Sequence, residues 1–336
     1  MDPITQGLLG AAAVQLTHQS SLKRDAWKIG VLSGMLADMD VLIHSSSDAL
    51  LSFEMHRHFT HSLAFVPIGA FLAMLFFIWR KKYREQWGAV YQACFVGYAT
   101  HALLDLCTSY GTMYLWPFDA KRYALDIVAV IDPIFSFILA VGVIWGIWKI
   151  KTKPVLIAML LCSLYLLFGS YQNQQALKVQ SQIASSRNHS PIHMTRAMPA
   201  IGNIFLWRSI YEYNGSFYSD AIRLPLFKET QYKKGSHVMT VSDQKFIAYE
   251  GGGAHLKDFH RFKNAVQGFT GISPINIQMY ADLRYTATIE GMEPLWGFGI
   301  YKEELVWFHS PRKLIKYLKK VTTDTFYGAG YKVISP

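Results

Sequence analysis

The sequence is poor in the features that mark several familiar protein classes. Its 336 residues include three cysteines, Cys94, Cys107 and Cys162, each inside an apolar run. That spacing excludes a zinc knuckle and a disulfide framework. No cysteine follows Cys162, so the C-terminal half carries no sign of redox compartment. Met1-Asp2-Pro3 is acidic where a secretory leader is basic, and no small-residue cleavage site follows a short apolar core. No secretory signal is therefore expected. Charge is also sparse, at 17% of residues against 51% hydrophobic. That balance excludes a disordered or collagen-like chain.

What is present is unevenly spread. Residues 1–170 hold 13 Lys and Arg against 11 Asp and Glu; the rest holds 20 against 12. Nearly all long apolar runs lie in the first part, which reads as membrane-embedded, with a water-soluble domain after it. Four runs approach the roughly 20 residues needed to cross a bilayer: residues 63–79, 89–106, 127–150 and 154–171. Two shorter pieces, 4–16 and 29–43, precede them and suit buried helices, half-spans or a tight helical hairpin. Gly7, Gly10, Ala11 and Gly34 permit close packing there.

Basic clusters set the orientation. They are Lys23, Arg24 and Lys28, then Arg80-Lys81-Lys82-Tyr83-Arg84, then Lys149, Lys151 and Lys153. With all three on the cytoplasmic side, the segments near 44–62 and 108–126 face outward, as does everything after Tyr171. The expected architecture is an α-helical polytopic membrane domain over residues 1–171, a polar connector over 172–200 whose first turn or two continues the last membrane helix, and an α+β extracytoplasmic domain over 201–336. In the last, Asn214-Gly215 between alternating runs predicts a β-hairpin. Further strands are expected at 238–249, 275–289 and 296–301, and helices at 257–267 and 311–321. No catalytic motif stands out in this domain.

The chemistry-bearing residues lie in the membrane half. Six of the twelve histidines precede residue 102, and His56-Arg57-His58-Phe59-Thr60-His61-Ser62 is the densest cluster. His56 and His61 reach one metal if the segment turns there; otherwise they belong to a polar juxtamembrane loop. His101 and Asp105 stand four apart within an apolar run, on one helical face. Ionisable groups in such a run are costly unless paired or metal-bound. An imidazole and a carboxylate at that spacing suit a metal, or else form a buried hydrogen bond that packs helices. Asp38 and Asp40 repel one another unless a cation or water relieves them. Asp126 and Asp132 flank residues 127–131, and one of them fits a helix start before Pro133. Asp38, Asp40, His56, His61, Asp105 and Asp126 all fall at the outer ends of their segments, with His101 one turn deeper. They converge on one outward-facing polar pocket.

Together these residues resemble the YdjM-type family of inner-membrane, metal-dependent hydrolases. The resemblance rests on Met1-Asp2-Pro3-Ile4-Thr5-Gln6, Asp38-Met39-Asp40, the His56–Ser62 block and His101-Ala102-Leu103-Leu104-Asp105. Thr108-Ser109-Tyr110-Gly111-Thr112, Trp116-Pro117-Phe118 and Ile131-Asp132-Pro133 add to it. It covers about residues 1–170, and the chain looks like the long members that carry an extra C-terminal domain. Gln6 stands where the family pattern has histidine, and an amide oxygen is a poor substitute for imidazole on zinc.

The resemblance implies a multi-pass protein of the bacterial inner membrane and a metal-dependent hydrolase. The expected ligands of one or two divalent ions, zinc foremost, are Asp38, His56, His61, His101 and Asp105. Asp40 or Asp126 is the expected general base. Arg57 and Arg122 are the expected binders of an anionic group such as phosphate. A site at the outer leaflet favours membrane lipid or another amphiphilic small molecule, cleaved at an ester or phosphoester. The alternative is a non-enzymatic membrane protein, an ion or proton pathway or a regulator, with a structural metal. Residues 89–100 contain no carboxylate to continue such a pathway inward. Nucleic acid is not an expected partner, because the basic domain faces away from the cytoplasm. Nothing in the sequence sets an oligomeric state.

Overall fold

The computed structural model describes residues 1–250, 255–301, 304–309, 311–326 and 330–334. It divides into two compact units, Met1–His44 with Met55–Gly169, and Ser45–Glu54 with Ser170–Pro336.

The helical unit contains α1 (Pro3–Leu22) and α2 (Ala26–Met35), joined by the short turn Lys23–Asp25. They form the tight hairpin the small residues allow: a side chain at Gly10 or Gly30 would strike the other glycine's carbonyl. Asp2 caps α1, accepting from the Thr5 amide at 3.0 Å and the Thr5 hydroxyl at 2.6 Å. The opening Asp-x-x-Thr is thus a helix start. Beyond α2 the backbone tightens into the 3₁₀ segment Leu36–Leu42. The short α3 (Leu51–Met55), which belongs to the second unit up to Glu54, is followed in the chain by 3₁₀ turns at Phe59–His61 and Leu63–Phe65. Next come α4 (Val66–Ile78), α5 (Lys81–Arg84), α6 (Trp87–Leu106), α7 (Pro133–Lys149) and α8 (Lys153–Ser186). Asp132 caps α7 through the Ile134 and Phe135 amides, both at 3.1 Å, and accepts from the Tyr165 hydroxyl at 2.7 Å.

Fewer helices meet the spanning criterion than the apolar runs suggest. Among the described residues, α8 is long and apolar enough to cross a membrane; a second candidate arises if the bent pair Leu51–His61 and Leu63–Ile78 counts as one span. With 13 and 17 residues, α4 and α7 are short. The 20-residue α6 has the length, but Gln92, Thr100, His101 and Asp105 interrupt its apolar character.

The second unit is rich in sheet. One antiparallel sheet has the order β1-β2-β3-β4-β9, from His193–Pro199, Leu206–Tyr213, Ser216–Arg223, Gln231–Met239 and Lys332–Val333. The other runs β5-β6-β7-β8, from Thr270–Ser273, Asn276–Asp282, Trp296–Tyr301 and Glu304–His309. The expected hairpin is present: Tyr213 pairs with Ser216 across Asn214 (φ 49°) and Gly215 (φ 71°), the left-handed pair of a type I′ turn. Met198, Ile210, Phe217, Phe269 and Leu283 make a core shared by both sheets. Arg208 is buried and donates to the carbonyls of Leu283, Ile289 and Gly291. Burial pushes its guanidinium down to about 10.

Three local expectations change. The strand expected at 238–249 stops at Met239, and α9 (Asp243–Glu250) takes over where Ser242-Asp243 offers a helix start. The strand expected at 275–289 ends at Asp282, whose carboxylate turns back to grip Arg284 at 2.9 Å. The helix expected to continue a turn or two into the polar connector goes further, since α8 runs on to Ser186. Its amides explain this: Gln172, Asn173 and Gln180 are buried and donate to the carbonyls of Leu224, Ala197 and Ile210. The expected helices are α10 (Leu256–Ala265) and α11 (Pro311–Phe326).

The second unit also holds Ser45–Glu54. Leu50 is fully buried among Phe246, Phe259 and Phe262, and Phe53 lies 5.8 Å from the Phe262 ring. Arg261 binds both ends of the segment, Asp48 at 2.7 Å and Glu54 at 2.5 Å, and reaches Asp258 at 3.0 Å.

Candidate metal centre

Four segments of the helical unit deliver the polar groups. Helix α6 presents His101 and Asp105 one turn apart, with Nε2 and Oδ2 at 3.5 Å. The 3₁₀ segment after α2 presents Asp38 and Asp40. At three residues per turn, residues two apart point in different directions, and the two carboxylates do separate work. The turn Phe59–His61 carries His61, and helix α1 carries Gln6.

Asp38, His61, His101 and Asp105 form one group of converging ligand atoms. His61 Nε2 lies 2.9 Å from His101 Nε2, 3.5 Å from Asp38 Oδ1 and 3.2 Å from Asp105 Oδ2. His101 Nε2 lies 3.4 Å from Asp38 Oδ1. Four ligands about 2.0–2.1 Å from a zinc ion stand about 3.4 Å apart in a tetrahedron, close to these spacings. The imidazoles are fixed from behind. His101 Nδ1 donates to the Gly34 carbonyl at 2.6 Å, a group that only accepts. His61 Nδ1 faces Asp40 Oδ2 at 3.2 Å and Thr60 Oγ1 at 3.0 Å. With Nδ1 of each ring held from behind, each Nε2 faces into the cluster and is the atom that would ligate a metal. Two imidazole nitrogens and two carboxylates at these distances offer a donor set that a divalent cation would satisfy. His61, His101 and Asp105 are fully buried, and Asp105 Oδ2 accepts no aligned hydrogen bond. Asp38 keeps 17% of its side chain exposed and forms the open side of the group. The donor set fits a divalent metal.

A second group joins Asp38, Asp40 and His56. Asp40 is buried and heavily engaged: it accepts from His56 Nδ1 at 2.9 Å, the Arg57 amide at 2.8 Å and the Thr60 hydroxyl at 3.2 Å. The amide contact needs the left-handed backbone at Arg57, φ 59°. The Arg57 side chain is buried with Nε 3.1 Å from Asp105 Oδ2, and it donates to Thr108 Oγ1 at 2.7 Å. Arg122 donates to the carbonyls of His56 at 3.0 Å and Gly111 at 3.1 Å, bracing the histidine loop. Asp126 is buried with φ 56° and belongs to neither group. The Met1 amine also pairs with Asp105.

Sequence reasoning passed over Thr60 and Thr108, whose hydroxyls hold His61 and Arg57, although both lie inside the motif blocks. The Gly34 carbonyl left no signal at all, because a backbone oxygen has no residue type. Gln6 lies in the centre: its Nε2 donates to Asp105 Oδ1 at 2.8 Å, and its buried Oε1 has no hydrogen-bond partner among the described residues.

The YdjM inner membrane protein family matches residues 1–176, more than half of the chain. The inner membrane protein YbcI of Escherichia coli (strain K12) is 33% identical over 96 residues, which are 28% of this chain and 54% of YbcI. The chain therefore spans about half the length of that curated relative. No solved structure matches. The family match covers every residue of both ligand groups, and the chain belongs to the YdjM inner membrane protein family.

Proposed function

We propose that the protein is a membrane-embedded, metal-dependent hydrolase that cleaves an ester or phosphoester of an amphiphilic substrate at the outer face of the inner membrane. The observation that carries this reading is the pair of imidazole Nε2 atoms facing each other at 2.9 Å beside two carboxylates. Asp38, His61, His101 and Asp105 would hold a divalent ion, and the mixed nitrogen and oxygen donors favour zinc. Asp40 and His56, with Asp38 shared, would complete a place for a second ion. Such an ion, when bound, supplies hydroxide near neutral pH.

The chain's own groups divide the remaining work. Asp40 and Gly34 keep the two imidazoles in their ligand tautomer. Asp38 forms the open side of the group, where water and substrate would approach. The hydrogen bonds of Asp40 are already committed to His56, Arg57 and Thr60, which suits an orienting role better than the base role expected for it. Arg57, expected to bind an anionic substrate group, is instead buried against Asp105 and Thr108 and would hold that ligand in place, and Arg122 holds the loop that presents His56. The three basic clusters support a multi-pass arrangement with the second unit outside.

The test is metal analysis of detergent-purified protein, wild type beside His61→Ala, with turnover on phosphoesters, carboxylic esters and phospholipids. Wild type should retain near-stoichiometric metal and hydrolyse one class, and His61→Ala should lose both. Wild type that retains metal and cleaves nothing would reduce the centre to a structural site.

A further inference from the structure

An apolar groove of about 520 Å³ runs alongside the candidate metal centre within the helical unit. Its walls are Leu36 and Met39 on one side and Leu72, Leu75 and Phe76 of α4 on the other. Tyr98 of α6 forms its floor, buried, with its hydroxyl donating to the Thr60 carbonyl at 2.8 Å. Gly69 keeps the groove open: a side chain there would run into the Tyr98 ring. Met39, Leu72, Leu75 and Phe76 are exposed at 52%, 43%, 44% and 55%, so the groove opens sideways on a surface of apolar residues.

Its polar end decides what it can hold. Asp40 and Thr60 line the groove, and both contact His61 of the ligand group. An occupant therefore needs an apolar rod at one end and a polar head at the other. We propose that this groove seats one acyl chain of a membrane lipid and delivers its head group to the Asp38–His61–His101–Asp105 centre. As a substrate site the groove rests on the hydrolase reading; as a lipid-binding site it does not.

Bilayer tails are as apolar as these walls, so moving a chain from lipid into the groove gains little by hydrophobic transfer. Affinity must come from the head group. The groove's contribution is shape: it fixes the chain, sets the register of the scissile bond and limits chain length. The residues that set that limit are Leu72 and Phe76 on the wall and Tyr98 on the floor.

The experiment uses full-length protein in lipid nanodiscs containing a trace of phosphatidylethanolamine with a diazirine on one acyl chain. After photolysis, cross-linked residues are mapped by mass spectrometry. Label should concentrate severalfold on residues 65–76 and Tyr98 over the exposed leucines of α8, Leu160, Leu164 and Leu167. It should do so in wild type and in His61→Ala alike. Leu72→Trp should cut groove labelling and lower the ratio of long-chain to short-chain turnover about tenfold or more. The control Leu164→Trp should leave both unchanged. Even labelling of α4 and α8 would mean ordinary surrounding lipid and would overturn the proposal without any variant having to fold. Groove labelling in a protein that hydrolyses nothing would uphold the acyl site and remove the hydrolase reading instead.

Discussion

Asp40→Asn separates two roles that the carboxylate can play. The side chain accepts from His56 Nδ1, the Arg57 amide and the Thr60 hydroxyl, and its Oδ2 faces His61 Nδ1 at 3.2 Å. Asparagine keeps the shape but replaces one acceptor oxygen with a donor. If its NH₂ faces His61, that ring must move its proton to Nε2, and the ligand lone pair is lost. If it faces His56, two donors meet and the loop shifts. Removing such a supporting partner typically lowers metal affinity about 10- to 100-fold, or about 1.4 to 2.8 kcal/mol. Thermal stability should change less with metal removed than with metal bound, because the largest loss appears on binding. The assay is competition for zinc against a fluorescent chelator on detergent-purified protein, with turnover measured at saturating zinc. Lost affinity with turnover largely restored by excess zinc fits the orienting role. Unchanged affinity with turnover lost would refute it and return Asp40 to the role of general base.

Four further outcomes follow, three from particular contacts and one from the basic clusters. Gln6→His should tighten zinc binding, since the side chain already touches Asp105 and imidazole suits zinc better than an amide; unchanged affinity in the chelator competition would exclude position six from the ligand set. Arg261→Ala should destabilise the second unit by about 1–2 kcal/mol and speed proteolysis within residues 45–54, because charge-assisted hydrogen bonds to Asp48, Glu54 and Asp258 go together. Contact with Arg261 holds the Asp48 carboxyl below its usual range, so this clasp contributes stability above about pH 4 and loses it as pH falls further; protection of 45–54 in hydrogen exchange that is flat from pH 6 to 3 would refute that account. Reporter fusions at residue 85 and after residue 336 should read opposite sides of the membrane, and same-side readings would overturn the orientation drawn from the basic clusters.

Where short-range geometry governs, the sequence by itself determined the outcome. His101 and Asp105 share a face because a helix repeats every 3.6 residues. Asn214-Gly215 makes its turn because few other pairs tolerate two successive positive φ angles. Asp132 before Pro133 caps α7 as its position suggests, and the small residues of α1 and α2 permit a hairpin. The ligand types were legible too, since ionisable side chains in apolar runs need a partner wherever they fall.

The tertiary structure alone decided how those ligands share the work. Asp38 and Asp40 look equivalent in a three-residue string, but the 3₁₀ backbone aims one at the imidazole Nε2 atoms and the other at the backs of His56 and His61. The choice of tautomer at His101 depends on the Gly34 carbonyl, 67 residues away. The polar amides of 172–186 read as a connector because burial is invisible in composition; in the fold they bind strand carbonyls, and α8 continues through them. Residues 45–54 sit between two ligand-bearing segments in the chain, yet Leu50 and the Arg261 clasp place them in the second unit. Each of these outcomes rests on partners brought close by packing across long sequence separations, which periodicity and motif spacing do not encode.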